Sequence, residues 1–301
     1  MFKTRKSLST WRRMLVGMVI LAVALLALGT RKTDTGNELT KTDTGETIQI
    51  GWLSPEFAVG PTMYSAQIMG FAGGTPFAKQ VEYSLVDGMP IMEGDIVLNL
   101  NQTTYAGTGV PLAKYYWPNN LVAYEIAPNF TNQGRITDAI AHWEKYTSIR
   151  FIKRDSSNAK QYPNYVYFQP SDGCWSYVGM QGGKQAIGLA AGCSLGNTIH
   201  EIGHAVGLWH EQSRIDRDEH VTILYENIVT SMAFNFNKHV TDGEDIGTYD
   251  FGSIMHYPRK AFSKNGKDTI VPKNDEAIGQ RDVLSPGDIA AVEYMYAKLK
   301  K

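Results

Sequence analysis

The chain has 301 residues, of which 43% are hydrophobic and 20% charged, a balance that supports a packed globular core in one large domain or two modest ones. Its formal net charge of −1 leaves no field of one sign to steer it to nucleic acid, so no nucleic-acid partner is expected.

Lys3, Arg5, Lys6, Arg12 and Arg13 precede an uncharged run over residues 14–28, with Arg31 and Lys32 behind it. A basic start followed by about 15 apolar residues fits an export signal better than a spanning helix, which needs roughly 20. Ala27-Leu28-Gly29 is a weak cleavage site, so residues 1–30 read as a signal peptide or as an uncleaved N-terminal anchor. Either places the bulk of the chain outside the cytoplasm: secreted in the first case, held to a membrane only through that segment in the second. The two cysteines, Cys174 and Cys193, form one disulfide in such a compartment or remain two buried thiols.

Lys-Thr-Asp-Thr-Gly occurs at 32–36 and again at 41–45, in a polar stretch that reads as a flexible tether. Strand-like residues 81–86, an Asp87-Gly88 turn and strand-like 95–100 make a small extended region, too short for a separate domain. A strand is expected over 121–126. A helix capped by Thr131 or Asn132 follows, with Ile136, Ala139, Ile140 and Trp143 on one stripe. Strands over 149–152 and 165–168 come next, then a helix over 198–206. Ser285-Pro286-Gly287-Asp288 opens a last helix with a serine cap. This order predicts an α+β fold whose sheet lies in the N-terminal half.

The informative stretch is His200-Glu201-Ile202-Gly203-His204-Ala205-Val206-Gly207-Leu208-Trp209-His210, which holds three of the seven histidines. Residues four apart share a helix face, so His200 and His204 address one ion, while Glu201 reaches a water beside it. Gly207 stops the helix in a left-handed turn that returns His210 to the same ion. Three neutral nitrogens and one open position are the donor set of a catalytic zinc site, one ion per chain. Glu201 is then the proton carrier for attack on a carbonyl. A peptide substrate would lie extended against a sheet edge within 174–189.

The sequence continues as Glu211-Gln212-Ser213-Arg214-Ile215-Asp216-Arg217-Asp218. Ser253-Ile254-Met255-His256-Tyr257 and Gly173-Cys174-Trp175-Ser176-Tyr177-Val178-Gly179 lie further off. Together these motifs resemble the astacin family of metzincin metallopeptidases over roughly residues 115–296. The resemblance implies a twisted-sheet N-terminal subdomain with the active-site helix and an irregular C-terminal subdomain ending in a helix. It implies zinc on His200, His204 and His210, Glu201 as general base, and Tyr257 as an extra ligand that swings to the oxyanion. Met255 would pack beneath the metal, and Glu211 would contact the mature N-terminus. Cys174–Cys193 matches one of the family's usual disulfides; the second usual pair is absent, since no other cysteine exists.

Met92-Glu93-Gly94-Asp95 resembles the family's propeptide signature, with Met in place of the usual Phe, and makes Asp95 the candidate zinc latch of a zymogen. The implied organisation is a linker and inhibitory propeptide over 31–105 and a catalytic domain over 106–301. Activation would need a cut between Asp95 and Tyr115, a stretch without Lys or Arg before Lys114; the small residues at Tyr105-Ala106-Gly107 suggest where. The implied partners are protein or peptide substrates and the chain's own propeptide. A catalytically silent zinc-binding adhesion module is the competing expectation, and it leaves Glu201 without a purpose.

Overall fold

The computed structural model describes residues 39–41, 47–49, 57, 63–72, 75–98, 113–240 and 243–300. The export segment over 1–30, the first Lys-Thr-Asp-Thr-Gly copy and the processing region at 105–107 lie outside these residues.

Part of the stretch read as a tether is extended and paired: β1 (Leu39–Lys41) runs antiparallel to β2 (Thr47–Gln49). β3 (Met63–Ala72) and β4 (Thr75–Val86) form a long antiparallel ladder, so the strand expected over 81–86 begins six residues earlier. Asp87 and Gly88 both take positive φ (50° and 77°), the backbone of a tight hairpin turn, and β5 (Met89–Met92) returns along β4. Of the strand expected over 95–100, β6 covers Ile96–Val97.

β7 (Leu121–Ile126) lies as expected. α1 (Gly134–Tyr146) buries Ile136, Ala139, Ile140 and Trp143. Neither Thr131 nor Asn132 caps it; Gln133 occupies the cap position without a side-chain bond. The first turn is fixed instead by Arg135, whose guanidinium donates to the carbonyls of Cys193 and Leu189. β8 (Arg150–Lys153), β9 (Tyr165–Pro170), β10 (Trp175–Ser176) and β11 (Lys184–Leu189) complete one nine-stranded sheet in the order β3-β4-β5-β6-β10-β11-β9-β7-β8. β7, β8, β9 and β11 are parallel, whereas β10 runs antiparallel to β11. The extended region upstream is therefore part of the same sheet, because β6 pairs with β10.

α2 (Leu195–Ala205) starts three residues before the expected position. Ser194 and Asn197 form a reciprocal capping box, with Asn replacing the Glu or Gln that usually signals one. The disulfide Cys174–Cys193 ties β10 to the entry of this helix. Beyond α2 the chain is mostly short 3-10 turns, with one antiparallel pair, β12 (Val221–Ile223) and β13 (Ile270–Pro272), before α3 (Pro286–Ala297). Ser285 caps α3 through a box with Asp288, as the sequence predicts. The α+β architecture, with a sheet-bearing half and an irregular half, is the one expected.

Among the described residues three apolar clusters form the core, the smallest being Val86, Ile91, Val97 and Trp175 under the upstream strands. Trp117, Trp143, Ile199, Ile202, Val206 and Tyr296 belong to the first, which surrounds α2. A second, with Val221, Ile228, Phe236, Tyr257, Phe262 and Ile270, fills the irregular half. The C-terminal carbonyls of α2, which have no intrahelical partner, are met from outside. Gly179 N–H donates to His204 O at 2.8 Å, the Trp117 indole to Ala205 O at 2.8 Å, and the Tyr296 hydroxyl to Val206 O at 3.1 Å. Trp143 donates to Ile199 O at 3.0 Å from the α1 side. The helix that carries the histidines is thus fixed at both ends. Among the described residues no helix is long and apolar enough to cross a membrane.

Candidate active site

His200, His204 and His210 converge with Asp95, and one ligand atom from each lies within 4.8 Å of the others. α2 supplies the first two. Gly207, with φ of 112°, ends the helix where a side chain would be strained and turns the chain so that His210 comes back to the group. All four residues are buried.

Asp95 carboxylate oxygens lie 3.3 Å from His200 Nε2, 3.5 Å from His204 Nε2 and 3.2 Å from His210 Nε2. A tetrahedral ion with ligand bonds of about 2.0–2.1 Å would hold its ligands roughly 3.3 Å apart. His200 Nε2, His204 Nε2 and Asp95 Oδ1 are buried and make no hydrogen bond, which is costly unless an ion satisfies them.

The other ring nitrogens select the tautomer. His200 Nδ1 donates to Ile254 O and His204 Nδ1 to Leu208 O, each at 2.8 Å, and His210 Nδ1 donates to Glu93 Oε2 at 2.9 Å. Each Nε2 therefore presents a lone pair to the centre. Burial lowers the pKa of His200 to about 3 and also lowers that of His204, so both are neutral ligands at ordinary pH. For His210, burial is overcome by the Asp95 and Glu93 carboxylates, which raise it to about 9 in the metal-free group. A cation in the centre reverses that preference by competing with the proton for Nε2.

Glu201 is buried beside His200 on the same helix. The Tyr257 ring stands 4.6 Å from that of His210, and its hydroxyl donates to the Glu93 carbonyl at 2.5 Å. Met255 is buried beneath α2, close enough that a Cβ on Gly203 would lie 2.7 Å from its sulfur. Its loop is held by Asp288, which accepts from the Ser253 hydroxyl at 2.6 Å and from Ile254 N–H at 2.9 Å. Glu211 is turned away from the histidines. It accepts from Asp250 N–H at 2.8 Å and lines a small cavity with Arg214, Glu244, Asp250 and Asp288. Burial pushes its pKa up to about 8.

Glu93 and His239 are members of this site that the sequence did not assign. Glu93 takes φ of 49° and Gly94 75°, a turn from which the Glu93 and Asp95 carboxylates both reach His210. His239 Nε2 donates to Glu93 Oε1 at 2.6 Å and the Ser213 hydroxyl to Glu93 Oε2 at 3.1 Å. Glu93 could have been found from its place beside Asp95; an isolated histidine 29 residues after His210 carries no pattern.

Within 174–189, where the sequence leads one to expect a free sheet edge, β10 is an interior strand of the nine-stranded sheet. One side of it pairs with β11, and the other with β6 at Ser176↔Ile96, in parallel. Ser176 N–H donates to Asp95 O at 2.8 Å. The backbone around Asp95 therefore takes up the side of β10 that faces away from β11, while the Asp95 carboxylate reaches the histidines.

A buried three-imidazole centre with a neighbouring glutamate and a methionine loop beneath it defines a metallopeptidase of the zincin type. The model of the astacin peptidase family matches residues 110–297, and the chain belongs to that family. The chain is 42% identical over 191 residues to blastula protease 10 of Paracentrotus lividus, covering 60% of this chain and 32% of that protein. It is 45% identical over 193 residues to tolloid-like protein 1 of Homo sapiens, covering 60% and 19%. The match thus spans a third or less of these relatives. Among solved structures it is similar to high choriolytic enzyme 1, a hatching enzyme zinc-protease from Oryzias latipes. There the TM-score is 0.57 with 34% identity, over 62% of this chain and 96% of that one. The ion that this centre takes is zinc.

Proposed function

We propose that the chain is a secreted zinc endopeptidase made as a latent zymogen, with residues 31–105 as linker and prosegment and 106–301 as catalytic domain. The reading is carried by one observation: the Asp95 carboxylate stands 3.2–3.5 Å from all three imidazole nitrogens, where a fourth ligand belongs. His200, His204 and His210 hold the zinc, and Asp95 closes the position that catalysis needs open. When bound, zinc supplies the Lewis acidity that makes water a nucleophile near neutral pH.

The chain's own groups do the rest. Glu201 accepts the proton of the attacking water and returns it to the departing amine. The Tyr257 hydroxyl, which here donates to a backbone carbonyl, has the reach and polarity to donate to the carbonyl oxygen of a peptide as charge develops on it. β10 offers main-chain hydrogen bonds to an extended peptide, and in the zymogen the backbone at Asp95 and Ile96 uses them. A cut between Asp95 and Tyr115 frees the new N-terminus. Its ammonium enters the acidic cavity at Glu211, where it compensates a carboxylate that burial otherwise keeps protonated.

The test is cleavage of a casein film by the processed protein, abolished by a chelator and by Glu201→Gln. An intact film from folded, zinc-loaded, processed protein would favour the binding module instead. Asp95→Ala should clear casein without processing, and an equally silent variant would remove the latch.

A further inference from the structure

Phe57 lies 38 residues before Asp95 and reaches the same cleft. Its backbone forms an isolated parallel bridge with Cys174, the residue preceding β10, so it lies on the edge that β6 covers at Ser176. Its side chain is buried against the irregular half. The ring stacks on Phe262 with centroids 4.4 Å apart and planes at 22°, and meets the edge of Tyr257 at 5.0 Å and 69°. Tyr257 is in turn the aromatic neighbour of His210. In the zymogen Gly94 covers the slot and leaves it together with Phe57: a Cβ there would lie 2.7 Å from both Phe57 Cδ1 and Phe262 Cζ, and its φ of 75° suits glycine.

The wall of this slot is held rigidly. Phe262 has φ of 53°, a strained conformation for an aromatic residue, and is fixed by Val229 N–H donating to its carbonyl at 3.0 Å and by the ring of Phe236. A flat slot between ring faces and edges favours an aromatic guest over an aliphatic one of equal area.

We infer that, once the prosegment leaves, the place of Phe57 is a substrate subsite that takes an aromatic side chain beside the scissile bond. Phe57 combines the two things a peptide substrate brings, an extended backbone on the strand edge and a side chain in the pocket below it. This deepens the peptidase reading above and rests on it.

The test is to digest a proteome-derived peptide library with the processed, zinc-loaded enzyme and locate the cuts by mass spectrometry. Phe, Tyr or Trp should be enriched at one fixed position within three residues of the cut. A fluorogenic peptide with Phe there should have kcat/KM about tenfold or more above its Ala counterpart. Phe262→Leu should lower that Phe-to-Ala ratio; if this variant does not fold, the wild-type library decides. Abundant cleavage with no aromatic preference at any fixed position would overturn the subsite and leave the peptidase intact. No cleavage at all would overturn both.

Discussion

Glu93 joins His210 to His239: one carboxylate accepts from His210 Nδ1 at 2.9 Å and from His239 Nε2 at 2.6 Å, all three residues being buried. Asp95 and Glu93 thus grip the same imidazole from opposite nitrogens. Burial alone would raise the Glu93 pKa, but the facing His239 and His210 hold it well below the usual carboxylate range. Glu93→Gln should therefore weaken the hold of this segment on the histidine centre. A hydrogen bond to a charged group contributes about 1.5–3 kcal/mol, so the unprocessed variant should melt several degrees lower and show measurable casein cleavage. On the proposed processing, variant and parent should then have the same kcat/KM, because the residue would leave with the prosegment. A difference in the processed enzymes would contradict this.

Metal removal should destabilise the fold, because His200 Nε2, His204 Nε2 and Asp95 Oδ1 then remain buried without a hydrogen bond. A ligand at a hundred times its Kd contributes about 2.7 kcal/mol. Dialysis against a chelator should lower the melting temperature of the unprocessed chain by about 5–10 °C, for a domain of this size. One equivalent of zinc should restore it. Unchanged melting after metal is shown to be gone would count against the centre.

The disulfide closes a loop with a sequence separation of 19 residues. Chain-entropy reasoning gives about 3 kcal/mol for such a loop. Cys174→Ser with Cys193→Ser should lower unfolding free energy by that order in urea titration, and mild reduction of the parent should do the same. Because Cys174 also bridges Phe57, protection of the chain around Phe57 against limited proteolysis should fall too.

Arg214 grips Asp216 through two bonds, Nε to Oδ1 at 2.9 Å and a terminal nitrogen to Oδ2 at 2.7 Å, and this lowers the Asp216 pKa. A carboxylate whose pKa is lower folded than unfolded stabilises above the unfolded value of 3.8 and loses that contribution as pH falls through the folded value. Asp216→Asn should accordingly cost about 1 kcal/mol near pH 6, a figure reduced by partial exposure. The gap should close below pH 4 in urea titrations run from pH 6 to 2.5. A gap that widens in acid would reverse the assignment.

The zinc-ligand set was legible because helical periodicity is local. A spacing of four puts His200 and His204 on one face, and Gly207 marks where the chain must turn. The strand at 121–126 and the capped helix at Ser285 were legible for the same reason. The start of α1 was not: Thr131 and Asn132 are good caps, yet the helix begins where Arg135 finds the Cys193 and Leu189 carbonyls, a contact across more than 50 residues. The start of α2 was missed because Asn197 completes a capping box that the usual Glu or Gln would have announced.

By itself, the sequence determined which residues can hold zinc, which acid stands beside them and which segment resembles an inhibitor, since these follow from residue type and short spacing. Only the tertiary structure decided that Glu93 and His239 brace His210, that β6 pairs with β10 on the side away from β11, and that Phe57 fills the slot beside Tyr257. Those contacts join residues from tens to more than a hundred positions apart. Their energies come from burial and pairing that no local pattern encodes.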